Sequence, residues 1–199
     1  MSNETGIPNV RSRVSEMNLH GLRLAMFSKI ERDLSVATEW GASAGVARIV
    51  GSLTDSQQEA LSAAAPLLWT LRWQDWSDVQ QAFSVAPSRV QREVPTFALS
   101  LAVLIHTRES LIRDELTAMI DLRLRAPSVV RHLLDISELD LVRVASGSAV
   151  FVSRWGLAGW QVVKGALDRG DDRERLTDAC MHAEALECVP AATDRMRRM

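Results

Sequence analysis

Three side chains that could ligate zinc lie close together near the carboxyl end of the sequence. Cys180, His182 and Cys188 offer two thiols and one imidazole, with Glu184 and Glu187 beside them. Zinc binds such ligands, but structural zinc sites place cysteines in pairs such as Cys-x-x-Cys, and this segment has no such pair. The spacing therefore favours a helix with two ordinary, small apolar cysteines. We expect no metal and no other cofactor.

Neighbouring carboxylates occur in the Glu-Arg-Asp run 31–33 and in the Arg-Asp-Glu run 113–115. Adjacent positions on a helix diverge by about 100°, so these carboxylates do not converge on one substrate, and they are typical of a solvated, salt-bridged face. The sequence also lacks a glycine-rich phosphate loop, a Gly-x-Ser-x-Gly turn and a His-Glu-x-x-His motif. We expect that the protein is not an enzyme.

The chain contains six tryptophans and no tyrosine, and two of the tryptophans directly follow an arginine. Both residue types are favoured at protein interfaces, because they offer a large contact area at little conformational cost. The predicted partner-binding residues are Arg72, Trp73, Trp76, Arg154, Trp155 and Trp160. The alternative, which applies most directly to Trp69 and Trp73, is that the rings fill the core and the arginines pair with carboxylates.

Composition excludes several classes of protein. Of the 199 residues, 47% are hydrophobic and 24% are charged, which excludes a disordered or collagen-like chain. A net charge of −2 excludes a basic surface that would hold the protein on DNA without sequence preference. The first residues carry no apolar signal segment, and the longest apolar stretch, 97–105, is shorter than the roughly 20 residues of a membrane span. We expect a soluble, cytoplasmic protein.

A protein that reads DNA directly would place a basic recognition helix in the major groove. The helices predicted over 43–50 and 54–65 could be mistaken for a helix-turn-helix. The second of them carries Asp55 and Glu59, which would repel phosphates. Basic residues in the tail 195–198 could touch phosphates, although basic chain ends are common. The sequence therefore assigns no DNA-binding residue.

Apolar spacing of three and four predicts helices along most of the chain, and therefore an all-α fold. Predicted helices cover 10–40, 43–50, 54–65 and 75–83, with an extended segment over 67–73. Prolines and mixed charges mark 85–95 as a linker. The same order then returns, with helices over 96–124, 127–134, 137–145 and 158–167 and an extended segment over 149–155. A charged helix over 171–187 and a basic tail follow.

This recurrence is an internal repeat. Residues 30–34 align with 112–116 and residues 69–73 with 151–155 at a shift of 82, while residues 46–55 align with 129–138 at a shift of 83. We therefore divide the chain into a first unit (10–84), a linker (85–95), a divergent second unit (96–169) and a charged C-terminal helix with a basic tail (170–199). Two units too small to bury all their apolar surface alone are expected to pack about a pseudo-twofold axis, as a dimer within one chain.

The first unit resembles the FlhD family, the flagellar transcriptional activator subunits, over residues 18–75 without a gap. The matching positions are Asn18, Leu19, Leu22, Leu24, Ala25, Gly41, Ala47, the Gly51-Ser52-Leu53-Thr54 turn, Gln57, Leu61, Leu67 and the Arg72-Trp73-Gln74-Asp75 run. The resemblance implies an all-α dimer that assembles with an FlhC-type partner, which contributes much of the DNA binding and carries a zinc site. Family members have one unit per chain, whereas this chain has two.

The resemblance implies a regulatory subunit that binds an FlhC-like activator in control of flagellar, secretion or conjugative-transfer genes. DNA contact is then expected only through that partner. Two alternatives remain open. One is a structural or adaptor component of a secretion apparatus, and the other is an antiactivator that occupies the FlhC-like partner without supporting promoter binding.

Overall fold

The computed structural model describes residues 10–30, 42–86, 96–147 and 149–188, and these are mostly helical. The first half of the chain forms α1 (Val10–Ile30), α2 (Ala44–Val50), α3 (Asp55–Ala64), β1 (Trp69–Leu71) and α4 (Trp76–Val85). The second half forms α5 (Phe97–Arg113), α6 (Glu115–Asp121), α7 (Pro127–Asp135), α8 (Glu138–Ala145), β2 (Phe151–Ser153), α9 (Leu157–Arg169) and α10 (Arg173–Cys188). The predicted all-α character and both extended segments are confirmed.

Side-chain caps set the helix starts that the sequence predicted. Thr54 accepts a hydrogen bond from the Gln57 backbone N–H, and the Gln57 side chain in turn accepts from the Thr54 backbone N–H. The Ser137 hydroxyl accepts from the Asp140 N–H at the start of α8. Such caps stabilise a helix end because the first backbone N–H groups lack intrahelical partners. Gly170, with φ of 68°, ends α9 in the left-handed conformation that favours glycine.

The single helix predicted over 96–124 is wrong, because the chain breaks between α5 and α6. Asp114 has extended backbone angles (φ −156°, ψ 97°), and its carboxylate accepts a hydrogen bond from the Thr117 N–H. Aspartate competes with helical hydrogen bonding in this way, which explains a break inside an uninterrupted amphipathic pattern. The corresponding part of the first long helix, 31–40, lies outside the described residues, as do 87–95 of the predicted linker and the tail from 189.

The two strands pair with each other in antiparallel orientation. Thr70 lies opposite Val152, Trp69 opposite Ser153, and Leu71 opposite Phe151. One further hydrogen bond flanks the pair on each side. Arg72 N–H donates to the Val150 carbonyl and Arg154 N–H to the Leu68 carbonyl, each at 2.8 Å. The sheet therefore joins the two halves of the chain.

One hydrophobic core spans both halves. The long helices α1 and α5 contact each other, and each contacts its own half's strand. The helix after each strand packs on the opposite half, with α4 against α7 and α8 and α9 against α2. The last helix, α10, lies on α9 and α3. None of the described helices combines the length and the apolar character needed to cross a membrane.

Two buried polar side chains attach the long helices to the strands. On α1, Asn18 accepts from the Leu68 N–H at 2.7 Å and donates to the Pro66 carbonyl at 2.9 Å. On α5, the Ser100 hydroxyl accepts from the Val150 N–H at 3.4 Å. Both side chains are fully buried, and each satisfies a backbone donor that would otherwise be costly to bury.

Candidate functional site

Glu184 on α10 is the centre of a network of charged hydrogen bonds. Its Oε1 accepts from Arg123 Nη2 (2.6 Å) and Arg154 Nη2 (2.9 Å), and its Oε2 accepts from Arg154 Nε (2.7 Å) and Trp155 Nε1 (3.2 Å). Burial opposes ionisation of this carboxyl group. The hydrogen bonds and charges of Arg154 and Arg123 outweigh that effect and lower the pKa of Glu184 to about 2. The network attaches α10 to the segments before α7 and after β2.

Arg123 reaches this network from an unusual backbone conformation. Its φ of 56° is the only positive value found for a residue other than glycine in the described part of the chain. The left-handed conformation costs an arginine about 1–2 kcal/mol. Two contacts offset that cost, since the guanidinium donates both to Glu184 and to the Arg154 carbonyl (3.1 Å).

Of the residues considered as zinc ligands, Cys180 and His182 have different surroundings on α10. Cys180 is fully buried in the interface of α10, and burial raises the pKa of its thiol to about 12, which disfavours a metal-binding thiolate. His182 is exposed, and the side chain of Cys188 lies outside the described residues. Within the described residues, no three potential ligands group to hold a metal ion.

The predicted partner-binding residues have different surroundings. Trp73, Trp155 and Trp160 are buried inside the chain, at most 2% exposed, and Arg154 is occupied by Glu184. Their rings and charges are therefore not available on the surface, which agrees with the core alternative for Trp73. Arg72 is half-buried, and Trp76 is 42% exposed. Of these six residues, Trp76 presents the largest ring surface to solvent.

Trp76 packs against His132 of α7, edge to face, with ring centroids 5.2 Å apart. Phe83 contacts the same imidazole at 5.2 Å. Burial lowers the pKa of His132 from its ordinary value. Its Nε2 is buried and has no hydrogen-bond partner within the described residues. This cluster joins α4 of the first half to α7 of the second half.

Four apolar side chains around the break between α5 and α6 and on α10 are exposed. Ile112, Leu116, Ile120 and Met181 of α10 are each 62–71% exposed. Of these, Ile120 and Met181 line a cleft of about 730 Å³ whose other apolar walls include Pro66, Leu67 and Leu122. Large exposed apolar surface on a globular protein commonly marks a binding site. We call Ile112, Leu116, Ile120 and Met181 the apolar stripe.

The sequence predicts neither the apolar stripe nor the Glu184 network. A signal for the stripe existed, because Ile112, Leu116 and Ile120 recur every four residues. In one continuous helix over 96–124 these three residues would share a face, and the structure breaks that helix at Asp114. No signal in the sequence relates Glu184 to Arg123, which lies 61 positions away.

Comparisons of the chain with models of protein families, with curated protein sequences and with solved structures return no match.

Proposed function

We propose that the chain consists of two FlhD-like units related by a pseudo-twofold axis. The register of the two strands is the observation that carries this proposal. Thr70 and Val152 are 82 positions apart, the same shift that aligns the repeats, and they lie opposite each other. A twofold rotation through this pair exchanges the two flanking hydrogen bonds, because the bond from Arg72 to Val150 becomes the bond from Arg154 to Leu68 at a shift of 82. An isologous dimer shows the same exchange.

Other contacts occur at equivalent positions of the two units. Asn18 and Ser100 are 82 positions apart, and each accepts from the backbone N–H just before its strand. Thr54 and Ser137 cap equivalent helices at a shift of 83. The reciprocal packing of α4 and α9 on the opposite unit also agrees with a dimer within one chain.

This arrangement predicts that the two units depend on each other. Co-expression of residues 1–88 with residues 89–199, with an affinity tag on one half, is expected to give a complex that co-purifies, because separate halves would leave one strand unpaired and α4 or α9 uncovered. Size-exclusion chromatography with light scattering would measure the stoichiometry. Two halves that are soluble alone and do not associate would contradict the pseudo-dimer.

The function that this architecture supports best is that of a non-enzymatic subunit of a transcription regulator. It binds an FlhC-like activator in control of flagellar, secretion or conjugative-transfer genes, and its DNA affinity is borrowed from that partner. The apolar stripe supports the proposal, since its four exposed apolar side chains are of the kind that partners cover. The net charge of −2 supports the indirect contact with DNA.

Co-expression with an FlhC-like protein encoded beside this chain tests the proposal. The expected result is a stable complex that retards promoter DNA in a gel-shift assay, whereas the chain alone does not. A complex that forms but abolishes the shift obtained with the partner alone would instead identify an antiactivator. Absence of a complex, together with capture of secretion components, would replace the proposal with the adaptor function.

Substitution of the apolar stripe is expected to weaken partner binding without unfolding the chain. The double variant Leu116→Asp and Ile120→Asp places two charges on a surface that is exposed in the free protein. The charges should therefore leave the fold intact and destabilise only a complex that buries them. We expect at least about a thirtyfold loss of affinity by calorimetry, the size of a typical interface hot spot. Leu139→Asp is the matched control, since Leu139 on α8 is equally exposed (65%) and lies outside the cleft. Equal effects of the two changes would contradict this assignment.

A further inference from the structure

His132 on α7 lies where the first half of the chain packs on the second half. Three aromatic rings of the first half contact its imidazole. Trp76 and Phe83 of α4 meet it edge to face, each with ring centroids 5.2 Å apart, and Trp73 lies at 6.4 Å. These ring contacts accompany the backbone proximity of α4 and α7, so the imidazole is part of the contact between the two halves.

This surrounding offers the imidazole no polar partner at Nε2. The atom is buried, and among the described residues it has no hydrogen-bond partner. A protonated imidazole is a donor at both ring nitrogens, so protonation would place a charged N–H group where the described residues supply no acceptor. Burial of a charged donor without an acceptor costs more than burial of a neutral ring nitrogen. The packing of α4 on α7 therefore favours the uncharged form of His132.

Charged groups on α7 and α8 oppose this preference. Asp135 on α7 and Asp140 on α8 both favour the protonated imidazole, and Asp140 also pairs with Arg143 at 3.2 Å. Burial is the larger effect, and it lowers the pKa of His132 from its ordinary 6.5. Arg131, the neighbour of His132 on α7, is exposed.

Charged groups on the other two packed helices are engaged elsewhere. On α4, the carboxylates of Asp75 and Asp78 accept hydrogen bonds from backbone N–H groups at the start of that helix. On α5, Arg108 donates to the Leu134 carbonyl at the end of α7 (3.5 Å). None of these bonds involves the imidazole.

The equivalent contact of the other unit has an apolar residue in place of the histidine. Under the pseudo-twofold arrangement proposed above, α7 corresponds to α2, and His132 corresponds to Ile49 at a shift of 83. Helix α9 packs on α2 as α4 packs on α7, and a Cβ on Gly45 would lie 2.8 Å from the Leu157 side chain of α9. An isoleucine has no proton to gain. A change of pH is therefore expected to act differently on the two contacts.

We propose that His132 is a pH-sensitive switch between the two halves of the chain, in which the uncharged imidazole holds α4 on α7 and protonation releases α4. Release would uncover Val79 and Ala82, which are buried on α4, and the covered part of Trp76. Acid would thus expose an apolar surface that the closed chain keeps covered. The inference goes beyond the proposed function, because it concerns the chain alone.

The direction of the pH effect follows from proton binding. When α4 is released, the imidazole returns to its ordinary pKa of 6.5, so the released state binds a proton at a pH at which the closed state does not. The closed state is therefore fully favoured above pH 6.5 and loses this stabilisation as the pH falls below 6.5. Between pH 7.5 and pH 5.5, we expect the equilibrium constant for release to rise roughly three- to tenfold.

Amide hydrogen exchange of the full-length chain at pH 7.5 and pH 5.5 measures the release of α4. At each pH, the exchange rate on α4 in the wild type is divided by the rate in His132→Ile, so that the intrinsic pH dependence of exchange cancels. We expect this ratio to rise roughly three- to tenfold at pH 5.5. His132→Gln keeps the test valid if isoleucine packs poorly. His182→Gln, which changes an exposed histidine on α10, is the matched control and should retain the pH dependence of the wild type.

Exchange on α9 in the same samples is the internal reference, because α9 packs on the helix that carries Ile49. An equal rise of the ratio on α9 would show general acid destabilisation and would overturn the switch. A ratio that does not change with pH for either His132 variant would overturn it as well. So would slower exchange on α4 at pH 5.5, since the rings would then stabilise the imidazolium by cation–π contacts. The samples contain no activator and no DNA, so failure here leaves the proposed regulatory function intact.

Discussion

Replacement of Glu184 by glutamine is expected to destabilise the protein by about 2–4 kcal/mol, because it leaves two arginines and an indole N–H around a neutral amide. The Arg154 side chain, in particular, is only 9% exposed and has little access to water in the folded state. A change of this size in a chain of this length lowers Tm by roughly 5–12 °C. Thermal unfolding followed by circular dichroism measures it.

Asp178→Asn is the matched control for this change. Asp178 is an exposed carboxylate on the same helix, and its replacement is expected to change the free energy of unfolding by less than about 0.5 kcal/mol. An equally large loss in the control would mean that α10 is sensitive to any change of charge. The effect of Glu184 would then not be specific to the network.

The pH dependence of the free energy of unfolding should distinguish an electrostatic contribution of the Glu184 network from a contribution of packing alone. Because the folded pKa of Glu184 is about 2, below its ordinary 4.5, the carboxylate stabilises the fold above pH 4.5 and loses that contribution as the pH falls towards 2. The difference in stability between the wild type and Glu184→Gln should therefore narrow over this window. Other carboxylates with lowered pKa values, such as Asp75 and Asp114, are present in both proteins and cancel in the difference. A constant difference would contradict the electrostatic explanation.

Local chemistry explains why most element boundaries could be predicted from the sequence. The Thr54–Gln57 box and the Ser137 cap act through hydrogen bonds within three residues, so the signal and its effect lie in one short segment. The short extended segments were predicted from bulky residues beside turn formers, and they form β1 and β2. Their pairing with each other depends on contacts across the chain, which no local pattern contains.

Whether the predicted partner-binding residues are buried or exposed could not be predicted from the sequence. A tryptophan beside an arginine fits both a core and an interface, and the choice depends on whether another element covers it. At Trp155 the cover is α10, whose Glu184 satisfies both the arginine and the indole. Trp73 is buried as well, and it lines a groove. The Arg-Trp pattern by itself therefore does not distinguish a buried tryptophan from an interface residue.

Introduction of a single methyl group at Gly21 is expected to have an effect as large as the loss of Glu184. An ideal Cβ at this position on α1 would lie 2.0 Å from Trp69 Nε1, and the ring is rigid and only 1% exposed. Gly21→Ala should therefore cost about 3 kcal/mol or more, although alanine is the better helix former. Gly165→Ala on α9 is the matched control. Among the described residues, its Cβ would meet only Arg169 Nη1 at 3.5 Å, and we expect the free energy of unfolding to rise by about 0.5–1 kcal/mol.

The second unit supplies the compensating change for this clash. At a shift of 82, Gly21 and Trp69 correspond to Val103 and Phe151, so a larger helix residue accompanies a smaller ring. Trp69→Phe alone removes buried volume and is expected to cost about 1–2 kcal/mol. In the double variant, Trp69→Phe should recover at least half of the stability that Gly21→Ala alone loses. A double-mutant cycle, with free energies of unfolding measured in urea, would show this recovery as a coupling energy above about 1 kcal/mol. Additive losses would show that the two positions do not share one packing space, and would weaken the equivalence of the two units on which the pseudo-dimer depends.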